Sequence, residues 1–98
     1  MKIPKRVIIS GHTFDIIYKK GLVHNSADCW GMCDYTNHKI YLVRGMKSTH
    51  KMEIFLHECI HAIEEIHLIK LPEIAVKNLA IGILGLIRNN KINFLKEN

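Results

Sequence analysis

Residues 57–61 read His-Glu-Cys-Ile-His, and this spacing constrains the fold more than any other feature of the chain. Two histidines four positions apart sit one turn apart on the same face of an α-helix. Both imidazoles can then reach one metal ion. Glu58 lies on the same side and can take a proton from a metal-activated water. Ser48 or Thr49 can cap a helix that runs to about His67. At about 100° per residue, His57, Glu58, His61, Glu64 and Glu65 share one arc, and Met52, Phe55, Leu56, Cys59, Ile63 and Ile66 share the opposite one. The helix is expected to bury its apolar arc in a core and to present the His–Glu face elsewhere.

The rest of the chain supplies the core. Its 98 residues suit a single domain, residues 1–98. Hydrophobic residues make up 48% and aromatics only 7%, so the core is aliphatic. Arg6–Ser10 and Thr13–Tyr18 read as strands around Gly11-His12, with Phe14, Ile16 and Tyr18 on alternate positions. Residues 19–31 read as a loop. Met32–Tyr35 and Lys39–Val43 read as a hairpin around Thr36-Asn37-His38, with Ile40 and Leu42 pointing one way and Tyr41 and Val43 the other. Leu71-Pro72 breaks the first helix, and a second runs from Glu73 to about Asn89. That helix is apolar on most sides and is expected to be buried in the core, a dimer face being the alternative. Gly82 and Gly85 are expected to admit a close neighbour. The tail, residues 91–98, is polar apart from Ile92, Phe94 and Leu95. The expected fold class is α+β: a small antiparallel N-terminal sheet of about three or four strands packed on two C-terminal helices.

Composition excludes several roles. The net charge of +5 is spread along the chain with no block of like charge, so no nucleic-acid partner is expected. The longest apolar run, Leu79–Ile87, is nine residues, too short to cross a membrane. The start has no apolar h-region. Three cysteines without a secretory signal fit reduced thiols in a cytoplasm. Cys29 and Cys33, with His24 and His38 nearby, offer a second metal site, but two reduced thiols around a turn describe them as well. Cys59 is expected to be a small buried hydrophobe.

The segment IFLHECIHAIEE, followed by LPEIAVKNLAIGILGLIRNN, resembles the small zincin-like metallopeptidases of bacteria and phages, including the ImmA/IrrE-type proteins and the compact minigluzincins. Upstream, IPKRVIISGHTFDIIY and WGMCDYTNHKIYL look like the strands, hairpin and active-site edge strand of that family. The resemblance implies a minimal zincin-like fold and a zinc-dependent peptidase, phage-encoded in a host cytoplasm, with Zn2+ held by His57 and His61 and with Glu58 as general base. A non-catalytic zinc-stabilised interaction or regulatory module is the alternative. A peptide substrate is expected to dock along Lys39–Val43 as the edge strand. Tyr35, Tyr41, His50 and Arg44 are candidate oxyanion stabilisers.

The third ligand lies among His67, Glu73, Glu64 and Glu65. His67 completes the spacing His-x3-His-x5-His, but that pattern requires Gly three residues after the second His, where this chain has Glu64. The resemblance implies Glu73 instead. The second helix of ImmA/IrrE-type proteins begins Glu-x-x-Ala-x-x-Phe-Ala, and Glu73, Val76, Leu79 and Ala80 occupy those positions. Glu73 lies 12 residues beyond His61, so it reaches the metal only if the first helix ends early or the loop folds back. Glu64 can also serve by orienting a ligating histidine.

Overall fold

Alternating apolar residues drive the first half of the chain into strands, and two short turns set their pairing. A computed structural model describes residues 2–90. Residues 91–98, read above as a polar tail, lie outside the described residues. The elements are β1 (Arg6–Ile9), β2 (His12–Lys19), β3 (Leu22–His24), β4 (Ala27–Cys29), β5 (Gly31–Asp34), β6 (Lys39–Val43), α1 (Ser48–His67) and α2 (Glu73–Asn90). Ser10 and Gly11 between β1 and β2 both have positive φ, at 47° and 83°, as a two-residue hairpin turn requires. Residues 19–31, expected as a loop, instead hold the small β3–β4 hairpin, turned at Asn25-Ser26 with φ of 52° and 63°.

The main sheet has the order β1-β2-β6-β5. The fold is α+β as expected, but the sheet is mixed: β2 and β6 pair in parallel, Asp15 opposite Lys39 through Lys19 opposite Val43. A parallel neighbour needs a long crossover rather than a tight turn, and the residues from Lys20 to His38 provide it. This order corrects the expected docking strand. Lys39–Val43 is interior, bonded to β2 on one side and β5 on the other. The edge strand beside the helices is β5.

Phe14, Ile16, Ile40 and Leu42 point to one face and pack with Met52, Phe55 and Ala62 of α1. Fully burying each large apolar side chain contributes about 1.5–3 kcal/mol. Val43 points to the other face, under the β3–β4 hairpin. α2 runs antiparallel to α1, Glu73 lying at His61 and Arg88 donating to Thr49 Oγ1 at 3.0 Å. Val76 and Ala80 pack on Ile60, and Leu84 joins the main core.

Two expectations for α2 are corrected here. It is not buried all round: Ile74 is 62% exposed and Leu86 52% exposed, with Leu79, Ile81 and Ile83 also open. The one helix packed against it, α1, can cover only a single stripe of it. Gly82 has open space where a Cβ would point, and Gly85 has only the Asn89 side chain at 3.9 Å, so neither admits a close neighbour among the described residues. Gly82→Ala is therefore expected to stabilise the fold by about 0.5–1 kcal/mol, read as a raised urea midpoint. A lowered midpoint would mean that this position is covered. Among the described residues, no helix is long and apolar enough to cross a membrane.

Candidate metal centre

His57 and His61 stand one turn apart on α1, their ring centroids separated by 4.8 Å and their planes tilted by 66°. Glu73, the first residue of α2, faces both. His57 Nε2 meets Glu73 Oε1. His61 Nε2 lies 3.4 Å from Glu73 Oε1 and 3.3 Å from Oε2. One ligand atom from each of the three residues falls within 4.8 Å of the others, so the group could hold a metal ion, and it is the one such cluster among the described residues. Two imidazole nitrogens and one carboxylate oxygen, with a fourth position open, fit the donor set of a catalytic zinc site.

The loop folds back to make this possible, since α1 runs its full length to His67. Leu68 adopts the left-handed conformation, φ 56° and ψ 43°, and its N–H caps the carbonyl of Glu64. Ile69 N–H donates to the same oxygen at 3.0 Å. Leu71 N–H then donates to Glu64 Oε2 at 2.7 Å, and the Pro72 carbonyl accepts from Ala75 and Val76 to start α2. His67 is carried away from the pair: its Nε2 lies 2.8 Å from Ser10 Oγ at the β1–β2 turn. Glu73, not His67, stands with the two histidines. Glu65 is exposed on α1. Glu64 Oε1 lies 2.6 Å from His61 Nδ1.

Glu58 departs from the helical-wheel expectation. It is only 7% exposed, because α1 is flanked by β5 on that side as well as packed on the sheet. The Cys33 backbone N–H faces its carboxylate and favours the charged form. Burial pushes the Glu58 carboxyl up to about 7; His61 draws it down and Glu73 pushes it up. Burial pulls the His61 imidazole down, but its hydrogen bond to Glu64 and the charges of Glu58 and Glu73 outweigh this and leave it above its ordinary value. Burial raises Glu73, while His57 and His61 overcome it and hold the carboxyl below the usual range. Three carboxylates around two imidazoles favour a bound dication.

Gly31 of β5 makes the close approach possible. A Cβ there would meet Ile54 Cγ2 at 2.6 Å and Glu58 Cγ at 3.0 Å. Ile54 is β-branched and cannot swing its Cγ2 aside cheaply. Gly31→Ala is expected to destabilise the fold by about 1–3 kcal/mol, measured by urea unfolding. An unchanged midpoint would mean that strand and helix yield freely. Sequence reasoning missed Gly31 and the Cys33 amide. A glycine inside a strand is the signal that could have marked the first; a backbone amide leaves no signal in side-chain identity.

The remaining candidates fall elsewhere. Tyr35 packs with His12, Phe14 and His38. Tyr41 lies under Lys19 Nζ at 5.4 Å, and Arg44 is exposed just beyond β6. His50 stands edge-on to Trp30 at 5.1 Å. Cys29, Cys33 and Cys59 are all free thiols, and the second metal site is not formed among the described residues. Cys59 is half-buried, its thiol pushed up by burial to about 12. No family model, curated protein or solved structure matches the chain.

Proposed function

We propose that this chain is a zinc-dependent peptidase of minimal zincin type, with His57, His61 and Glu73 as ligands and Glu58 as general base. The observation that carries the reading is the position of Glu58. Its carboxylate is buried beside the ligand cluster and faces the Cys33 amide, where a base must stand to meet a water at the open position. Zinc bound there would polarise the scissile carbonyl and acidify the attacking water. Glu58 takes that water's proton and returns it to the leaving amine.

The substrate strand is assigned to β5 rather than to Lys39–Val43. Val43 N–H donates to the Trp30 carbonyl, and bonding alternates along an antiparallel pair. Trp30 and Met32 therefore bond to β6, while Gly31 and the Cys33 carbonyl turn to the free edge, the Cys33 N–H there facing Glu58. An extended peptide can add along that edge.

The exposed apolar residues of α2 favour a second reading, in which the metal only stabilises a module that binds another protein. The experiment that separates the two is incubation of the zinc-loaded protein with an unfolded polypeptide. The peptidase reading expects new N-termini that a chelator suppresses. Intact polypeptide, with zinc bound, would leave the interaction module as the function.

A further inference from the structure

Glu64 stands between the two halves of the metal centre. Its Oε1 lies 2.6 Å from His61 Nδ1 on its own helix. Its Oε2 accepts the Leu71 N–H at 2.7 Å, across the turn and two residues before Glu73. Its side chain is only 12% exposed, so water competes weakly for either bond. We infer that Glu64 is a positioning residue that couples metal loading to the seating of α2, because one carboxylate orients a metal-binding histidine and anchors the loop that delivers the third ligand. The inference rests on the reading of His57, His61 and Glu73 as a metal site.

The chemistry requires a carboxylate. When His61 offers Nε2 to a metal, its Nδ1 carries the proton and is a donor. The Leu71 amide is also a donor. Two donors need two acceptor oxygens, and Glu64 has them. Gln has one acceptor and one donor, so it serves His61 or Leu71 but not both. The coupling is reciprocal: an ion that fixes His61 in the Nδ1–H form strengthens the bond that holds the loop, and a held loop keeps Glu73 at the ion.

The test uses the full chain with zinc alone. Amide hydrogen exchange at Leu71 is measured with and without zinc in the wild type. Zinc affinity is measured for wild type and Glu64→Gln by competition with a chromophoric chelator, and the zinc-free melts are compared. Zinc is expected to slow exchange at Leu71 in the wild type. Glu64→Gln is expected to lose about 10–100-fold in zinc affinity, with a zinc-free melt close to wild type. A wild type that binds zinc with no change at Leu71 overturns the inference alone, and needs no variant to fold. So does a Glu64→Gln protein that binds zinc as tightly as wild type. A wild type that binds no zinc overturns the metal reading and this inference with it.

Discussion

Glu58→Gln is expected to slow peptide hydrolysis by about 10²–10⁴-fold, the usual worth of a positioned general base, while zinc stays bound. Gln has the same shape, and its amide oxygen can face the Cys33 N–H as the carboxylate does. It cannot take a proton from water. Burial already disfavours the charged form of Glu58, so a neutral side chain in its place costs the fold little. The loss should appear in kcat rather than in zinc content or in the unfolding midpoint. Steady-state cleavage of one peptide by both proteins, each with zinc content determined, checks this. Equal rates would remove Glu58 from the reaction and with it the peptidase mechanism drawn above.

Metal removal is expected to have the largest effect on stability. The ligands come from two helices, so an ion at His57, His61 and Glu73 ties the start of α2 to the middle of α1. Free zinc at a thousand times its dissociation constant stabilises the folded state by about 4.1 kcal/mol if the unfolded chain does not bind it. In a domain of this size that corresponds to a Tm shift of roughly 15–30 °C. Thermal unfolding with saturating zinc and with excess chelator measures it. Superimposable melts would mean that the folded chain binds zinc no more tightly than the unfolded chain does.

The parts of this molecule legible in its sequence are the ones that obey local periodicity. The four-residue spacing of His57 and His61 suits a helix, and α1 covers the expected span. The alternation of Ile40 and Leu42 against Tyr41 and Val43 gave β6 its two faces, and the hairpin around Thr36-Asn37-His38 is present. Long-range choices were not legible. Nothing in β2 or β6 alone specifies their parallel pairing, and that pairing decides that β5, not β6, is the free edge. The placement of Glu58 failed for a related reason: a wheel divides a helix into two arcs, while α1 has neighbours on three sides. α2 failed in the opposite direction, since its apolar residues exceed what α1 can cover. Glu73 could be reached from the sequence only through a resemblance. Its delivery depends on a left-handed Leu68 and on the Glu64 bonds, which no residue pattern announces.

Elemental analysis of the purified protein, beside its His61→Ala variant, tests the central claim most directly. The site as built predicts about one zinc per chain, lost when His61 is replaced. No zinc in the wild-type protein after reconstitution, or the same zinc content in the variant, would contradict the metal centre and the chemistry assigned to it.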